Sequence, residues 1–227
     1  MDLGLWLRAL RVKFLSASVI PVLLGTLVAL NSYGSINSII FFVTIVGVVS
    51  IHLAANLSND YFDYKSGADD LNKSGSEFSG GSQVIQEGLI SAKQILHASY
   101  TFFGIGLILG IFLALKIGSI RVLLLGLIGA FIGYFYTADP LKLSYNGFAE
   151  ISNVIIFGPM IGLGTYYVQT KTTSYEIIIT SLIPGILLGL VLLINEFPDF
   201  KSDRDIGKNT LVVRIGRKKA RWIFIII

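Results

Sequence analysis

The chain has 227 residues, of which 53% are hydrophobic and 14% charged, and its formal net charge is +4. This composition is typical of a polytopic membrane protein rather than a soluble domain. The chain has no cysteine, which excludes disulfides and thiolate chemistry. Its two histidines, His52 and His97, are too few to predict a histidine-built zinc site. The basic residues border apolar segments and do not indicate nucleic-acid binding.

Apolar runs recur along the chain, and a membrane-spanning helix needs about 20 mostly apolar residues. The predicted spans are 14–30, 36–57, 95–115, 122–136, 151–168 and 177–194. The fourth is short, and we expect it to be extended by Ser119, Ile120 and Arg121. A seventh run, 222–227, has only begun where the sequence stops. We therefore expect an all-α polytopic transmembrane bundle with six complete spans and the start of a seventh, truncated at its C-terminus.

Lysine and arginine are distributed unevenly between the two sides of this predicted bundle. The N-terminus and the loops 58–94, 137–150 and 195–220 carry most of them, whereas the opposite side has Lys116, Arg121 and Lys171. The positive-inside rule places the first set in the cytoplasm. We expect a single domain over 1–227, in the cell (inner or plasma) membrane, with its active site on the cytoplasmic side.

Two polar motifs each close an apolar run. The first, at 56–70, reads N-L-S-N-D-Y-F-D-Y-K-S-G-A-D-D, and the second, at 195–205, reads N-E-F-P-D-F-K-S-D-R-D. Carboxylates crowded near hydrocarbon repel one another unless a cation neutralises them. Magnesium suits this position because it binds one or two carboxylates and fills its other positions with water and phosphate oxygens.

The spacing within the motifs is helical. Asn59 and Asp63 are four residues apart, and Asn195, Asp199 and Asp203 share one face if the helix persists past Pro198. If only one of these motifs were present, a solvated polar loop would explain it. Their repetition at matching positions favours a site for a metal-bound diphosphate.

The loop at 66–91 is long and contains S-G-G-S-Q at 79–83. The backbone N–H groups of a Gly-Gly pair can bind an anion, and the same pair can form a plain turn. Above a diphosphate site, we expect Gly80, Gly81 and Gln83 to belong to a mobile lid. We interpret the glycines inside the spans as packing residues, and both histidines as bonded to neighbouring helices.

Five segments, in order, carry a shared pattern. They are R-V-K-F-L-S-A-S-V-I-P-V-L-L-G-T at 11–26, N-D-Y-F-D-Y-K-S-G-A-D at 59–69, S-G-G-S-Q-V-I-Q-E-G-L-I-S at 79–91, Y-T-A-D-P-L-K-L-S-Y at 136–145 and N-E-F-P-D-F-K-S-D-R-D-I-G-K-N-T-L-V-V-R at 195–214. Over essentially the whole chain they resemble the UbiA superfamily of intramembrane prenyltransferases, most of all its 1,4-dihydroxy-2-naphthoate (menaquinone-pathway) branch. The family fold is a bundle of roughly nine helices.

The resemblance implies magnesium-dependent transfer of a polyprenyl group from an isoprenoid diphosphate to an aromatic acceptor, here 1,4-dihydroxy-2-naphthoate. Many relatives carry a further acid where this chain has Gly67, so Asp69 would have to substitute for it. The implied metal ligands are Asn59, Asp63, Asp69, Asn195, Asp199 and Asp203, with Asp63, Asp199 and Asp203 as the catalytic carboxylates. The implied diphosphate ligands are Lys13, Lys142, Lys208 and Arg214.

The expected partners are the prenyl diphosphate, the acceptor and the lipid bilayer, with no nucleic acid and no obligate protein partner. Two alternatives stay open. The acceptor could instead be 4-hydroxybenzoate, haem, a chlorophyll precursor or a glycerol phosphate ether. A secondary transporter would use acids at membrane depth as coupling-ion sites, but the acids here lie at the ends of spans on one side, which favours an enzyme.

Overall fold

The computed structural model describes residues 2–67, 81–205 and 207–226, and the regular structure in these ranges is helical, with no strand. The helices in chain order are α1 (Leu3–Ala9), α2 (Ser16–Tyr33), α3 (Ser38–Ser66), α4 (Ala92–Ile117), α5 (Ile120–Tyr134), α6 (Ala149–Ile155), α7 (Ile161–Thr170), α8 (Tyr175–Asp205), α9 (Leu211–Ile215) and α10 (Arg217–Ile226). A 3-10 turn, Val12–Phe14, precedes α2, and a π-helical turn, Ile156–Met160, joins α6 to α7.

Five helical stretches within the described ranges are long and apolar enough to cross a membrane. They are Val12–Tyr33, Ser38–Ser66, Ala92–Ile117, Ala149–Thr170 and Tyr175–Lys201. Helix α5 is apolar but shorter. It begins before Val122 as expected, although Ser119 precedes the helix at the N-cap position, with no capping hydrogen bond from its side chain. The all-α membrane fold is therefore confirmed, while a sixth span through α5 stays a prediction.

The two helices that carry the acidic motifs are longer than their apolar runs. Helix α3 continues past Leu57 to Ser66, where Gly67 ends it with a φ of +73°, a left-handed conformation that strains other residues. Helix α8 continues through Pro198 to Asp205. The described part of the first motif, as far as Gly67, and the whole of the second motif thus lie at the ends of helices. The boundaries of the cytoplasmic regions at 58 and 195 stay predictions.

The helices form one bundle in which α3 and α8 make the most extensive contacts. Helix α3 packs along α4 and also contacts α2, α5 and α7. Helix α8 packs against α6, α7, the π-helical turn and α2, and the short helices α9 and α10 fold back onto it. Because α2 contacts both α3 and α8, the ends that carry the two motifs are held in one assembly.

Glycines allow the π-helical turn to lie directly on α8. Gly158 departs from helical geometry (φ −106°, ψ −108°) next to Pro159, which removes a backbone donor and kinks the helix. A Cβ atom at Gly158 would lie 2.7 Å from the carbonyl oxygen of Ser181, and one at Gly185 would lie 2.9 Å from the Cα of Gly158. The packing role predicted for Gly158 is therefore confirmed.

We predict that Gly185→Ala destabilises the protein by about 1–3 kcal/mol, the usual cost of overpacking, because the added methyl meets backbone that cannot move aside. Gly104→Ala is the matched control, since a Cβ there meets no atom within 4 Å. That control should be neutral or gain up to about 1 kcal/mol of helix propensity. Thermal unfolding in detergent would measure both, and equal unfolding temperatures for the two variants would contradict this account of the α6–α8 contact.

Candidate active site

A cavity of about 590 Å³ lies inside the bundle. The side chains of Arg11, Lys13, Asn59 and Asn195 line it at one end, which we call the mouth, next to both acidic motifs. Most of the remaining lining is apolar or glycine, for example Phe157. The cavity can therefore hold a molecule with a charged head and an apolar tail.

His52 lines this cavity and is held in place by its neighbours. Its Nδ1 atom lies 3.0 Å from Ser18 Oγ on α2, and its ring packs edge-on against Phe157 with centroids 5.0 Å apart. The expectation that neighbouring helices satisfy this histidine is confirmed.

Several glycines border the cavity, which corrects part of the interpretation of these residues as packing. A Cβ at Gly126 would meet no atom within 4 Å, and one at Gly129 would meet only Met160 Sδ, at 3.6 Å. Both residues line the cavity. Here the missing side chain leaves space inside the bundle instead of bringing two helices together.

The first motif is held by the segment 136–148, which follows α5. Tyr145 donates a hydrogen bond from its hydroxyl to Asp63 Oδ1 at 2.8 Å. Thr137 donates from Oγ1 to Asn59 Oδ1 at 3.1 Å. Asn59 and Asp63 lie one turn apart on α3, so both present their oxygens to the same side.

The second motif places two carboxylates one turn apart on α8. Asp199 and Asp203 are 7% and 4% exposed, and Lys208 Nζ lies 3.8 Å from Asp203 Oδ1. Burial raises the pKa of Asp203 to about 6, Lys208 lowers it, and the charges of Asp199 and Asp63 raise it. The carboxylates of the two motifs are thus close enough to interact, although they come from different helices.

Tyr145 connects the two motifs, and the sequence analysis did not single it out. Besides its bond to Asp63, its ring centroid lies 5.4 Å from Lys208 Nζ and 5.8 Å from Lys142 Nζ. Its backbone oxygen accepts a hydrogen bond from the N–H of Asn209 at 2.9 Å. One feature of the sequence could have indicated this role: Tyr145 is the last residue of the Y-T-A-D-P-L-K-L-S-Y segment.

The four cations predicted to bind diphosphate are placed differently. Lys13 lines the cavity, and Lys208 lies beside Asp203. Lys142 pairs with Asp139 at 3.0 Å and lies at the rim beside Tyr145. Arg214 is exposed, and its Nη1 atom donates to the backbone oxygen of Asn146 at 3.0 Å, so it anchors the segment 136–148.

Asp60 lies in the first motif but has its own partners. It is 2% exposed, and Arg11 Nη2 lies 2.5 Å from its Oδ1 atom. The backbone N–H and the hydroxyl of Ser82 also donate to the Asp60 carboxylate. Arg11 therefore neutralises one of the acids for which the sequence analysis expected a metal ion.

Contacts of Ser82 and Val84 hold part of the segment that the sequence predicts to be a lid. Asp69 and Gly80 lie outside the described residues, and Gly81 and Gln83 have φ values of +73° and +61°. Ser82 is bonded to Asp60, and Val84 is fully buried in a cluster with α1. A lid that includes Gln83 would have to break these contacts on opening, so its mobility stays a prediction.

No three acidic or histidine side chains among the described residues are grouped closely enough to hold a metal ion by themselves. The donors at the mouth are instead carboxylates and amides from two helices. This set fits magnesium, which takes one or two carboxylates and completes its shell with water and the substrate's phosphate oxygens.

Fold and site together define a helical membrane protein with an apolar cavity below two facing acidic motifs. The UbiA prenyltransferase family matches residues 18–227. The chain is 32% identical to 1,4-dihydroxy-2-naphthoate octaprenyltransferase of Bacillus subtilis (strain 168), over 95% of this chain and 67% of that protein. The chain belongs to the UbiA prenyltransferase family and is a prenyltransferase.

Other relatives agree with the menaquinone branch. The Escherichia coli (strain K12) protein of the same name is 28% identical over 95% of this chain and 70% of its own length. The 2-carboxy-1,4-naphthoquinone phytyltransferase of Synechocystis is 28% identical over 94% of this chain and 67% of that protein. The resemblance carried by the five segments is thus confirmed.

Solved structures support the fold. A UbiA homologue from Archaeoglobus fulgidus, bound to DMAPP and Mg²⁺, has a TM-score of 0.75 at 15% identity, over 97% of this chain and 72% of that one. A digeranylgeranylglyceryl phosphate synthase has a TM-score of 0.68 at 22% identity, over 98% and 72%.

We predict that Asp60→Ala lowers stability by about 3 kcal/mol, the lower end of the range for a broken buried pair, because Arg11 is 22% exposed. It should also speed hydrogen exchange at 82–85. Glu87→Ala is the control, since the pair of Arg8 with Glu87 is exposed and such pairs stabilise little. Unchanged exchange in Asp60→Ala would mean that the burial of Val84 alone holds this segment.

Proposed function

We propose that the protein transfers a polyprenyl group from an isoprenoid diphosphate to 1,4-dihydroxy-2-naphthoate in menaquinone biosynthesis. The observation that carries this is the juxtaposition of Asp63 and Asp203, linked by Tyr145 and Lys208, at the polar mouth of a cavity with largely apolar walls. The mouth suits the diphosphate, and the walls suit the prenyl chain. The names of the Bacillus and Escherichia relatives support the naphthoate acceptor.

We propose Asn59 and Asp63 on α3, and Asn195, Asp199 and Asp203 on α8, as the magnesium ligands, with Asp69 as a further candidate. A magnesium ion bound there would neutralise the diphosphate and stabilise its departure. The structure of the relative from Archaeoglobus fulgidus contains DMAPP and Mg²⁺, which supports magnesium as the metal.

The chain's own residues then act on the leaving group. Lys208 and Lys13 contribute positive charge at the mouth, where negative charge grows as the bond between the allylic carbon and the diphosphate oxygen breaks. The electron-rich ring of the acceptor attacks that carbon and forms the new carbon–carbon bond. The ring then regains its aromaticity by releasing the group on the attacked carbon, as a proton from a C–H position or as CO₂ from the carboxyl-bearing position. Apolar walls such as Phe157 limit the access of water to the cationic carbon.

We further propose that this mouth faces the cytoplasm of a cell whose inner or plasma membrane holds the bundle. The distribution of lysine and arginine between the two sides supports this orientation. The diphosphate donor would then come from the cytoplasm, and the prenylated product would stay in the membrane.

The decisive experiment measures prenyl transfer by the protein in lipid nanodiscs, with magnesium, a prenyl diphosphate and a panel of acceptors. We expect transfer to 1,4-dihydroxy-2-naphthoate. Transfer to 4-hydroxybenzoate or to a glycerol phosphate ether instead would overturn the acceptor, and no transfer to any acceptor would overturn the reaction itself.

Replacing a motif carboxylate by its amide should remove activity without removing the fold. Asp63→Asn and Asp199→Asn should each lower the rate of transfer by about a hundredfold or more, the effect of deleting one preorganised electrostatic contact. Asp205→Asn is the control, because Asp205 is exposed at the end of the same helix α8. Circular dichroism would check folding, and full activity in Asp63→Asn would remove this residue from the site.

Tyr145→Phe tests the connection between the motifs, because it removes only the hydroxyl that bonds Asp63. Groups that orient a metal ligand typically contribute about 10–100-fold in metal affinity. We therefore expect the magnesium concentration for half-maximal rate to rise about tenfold or more. Tyr64→Phe, on an exposed tyrosine next to Asp63, should leave this concentration unchanged, and equal values in both variants would contradict the assignment.

A further inference from the structure

The imidazole of His52 is oriented by two hydrogen bonds in series that begin next to α2. Ser18 Oγ donates its one proton to the backbone oxygen of Leu15 at 3.0 Å. The hydroxyl oxygen of Ser18 can then only accept, so the Nδ1–H of His52 is the donor in the 3.0 Å bond between them. A second ring proton would place an unpaired charge among apolar side chains. The ring is therefore neutral, with its proton on Nδ1 and a lone pair on Nε2.

The other ring nitrogen of His52, Nε2, is open to the cavity. It has no hydrogen-bond partner among the residues that the structure describes. Protein atoms do not enclose it, whereas they enclose the unpartnered hydroxyl oxygen of Thr165, another residue of the cavity lining. A lone pair in a largely apolar wall costs free energy unless a donor reaches it. The cavity thus offers this nitrogen to a bound molecule that has an O–H group.

His52 lies deeper in the bundle than the charged mouth. It precedes Asn59 by two turns of α3, and both residues line the cavity. At about 1.5 Å per residue, two turns correspond to roughly 10 Å along the helix. The ring of His52 packs there against Phe157. A diphosphate bound at the mouth therefore stops short of His52, and other parts of the two substrates lie beside it.

Of the two proposed substrates, the aromatic acceptor is the one with a hydrogen-bond donor for Nε2. A prenyl chain is a hydrocarbon and gains nothing from a lone pair in the wall. The ring hydroxyls of the acceptor would be buried in an apolar cavity and need a partner there. The carboxylate of the acceptor suits Lys13 at the mouth. An acceptor held at these two ends would have its ring between the mouth and His52.

We propose that His52 binds the aromatic acceptor through a hydrogen bond from a ring hydroxyl of the acceptor to Nε2, and so selects acceptors with a hydroxyl at that position. This rests on the proposed function and adds a residue to its acceptor site. The bond strengthens while the ring attacks the allylic carbon, because positive charge on the ring makes the hydroxyl a better donor. The hydroxyl keeps its proton, and the group that leaves the ring comes from the attacked carbon.

His52→Phe tests the proposal, because phenylalanine keeps a flat ring against Phe157 and removes both nitrogens. With 1,4-dihydroxy-2-naphthoate we expect kcat/KM for the acceptor to fall about tenfold or more, the effect of leaving a buried hydroxyl unpaired, while KM for the prenyl diphosphate stays within about twofold. His97→Phe is the matched control, since His97 is exposed on α4 and does not line the cavity. This control should change neither constant.

Methyl ethers of the acceptor separate a lost hydrogen bond from a changed cavity shape. Each monomethyl ether of 1,4-dihydroxy-2-naphthoate keeps an electron-rich ring and lacks one hydroxyl proton. We expect His52→Phe to lower kcat/KM with one ether as it does with the diol, and to change it less than about twofold with the other, because the bond is already absent there. Equal losses with the diol and both ethers, or no loss with any of them, would overturn the proposal.

A second measurement leaves His52 unchanged. In protein labelled at its histidine nitrogens and held in nanodiscs, NMR shows which ring nitrogen carries the proton, and His97→Phe assigns the signals. We expect a protonated Nδ1 and an unprotonated Nε2 whose resonance moves when the acceptor binds. A proton on Nε2, or an unmoved resonance with the acceptor bound, would contradict the assignment.

The two levels of the argument fail separately. If the unmodified protein transfers a prenyl group to no acceptor, the proposed function is wrong. If it transfers the group normally but His52→Phe shows no preference among the diol and its ethers, the role of His52 alone is wrong.

Discussion

A carboxylate at the edge of an apolar bundle must be neutralised or hydrogen-bonded, and this requirement ties together the described part of the molecule. Asp60 is bonded by Arg11 and Ser82, and Asp63 by Tyr145. Lys208 lies beside Asp203, and the backbone of Val212 donates to Glu196 at 3.0 Å. Most of these partners come from segments between or beyond the spanning helices, so satisfying the acids also fixes the connecting segments over the mouth of the cavity.

The positive charge at the mouth is shared between carboxylates and does not neutralise all of them. Lys208 interacts with Asp203 and also with Asp63, so one lysine serves carboxylates from two helices. A free diphosphate would add negative charge to this arrangement, whereas a diphosphate that carries magnesium would bring the missing positive charge with it. The mouth therefore suits the metal-bound form of the donor better than the donor alone, which agrees with the small number of carboxylates that magnesium takes from a protein.

The sequence was sufficient to predict the membrane fold, because apolar length is a local property. The matching positions and helical spacing of the two motifs predicted their shared site, and the resemblance of five segments predicted the family. Hydropathy alone could not locate the ends of α3 and α8, since both helices continue through polar residues beyond their apolar runs. The sequence could not predict that Arg11 and Ser82 bond Asp60, or that Tyr145 joins the motifs, because these partners are distant in the chain. Nor could it separate Gly158, which touches α8, from Gly126, which borders a cavity. That difference depends on what lies opposite each residue.

The relative position of the two motifs depends on contacts far from either of them. The acids lie on continuous helices, so a displacement along or around α8 deeper in the bundle would move Asp199 and Asp203 as a unit. The kinked turn at Gly158 and Pro159 packs directly on Gly185 of α8, and it leaves no room for α8 to shift toward α6. Because packed backbone yields little, this contact fixes the height and rotation of the second motif relative to the first. The glycines deep in the bundle thus serve the charged mouth as well as the apolar cavity.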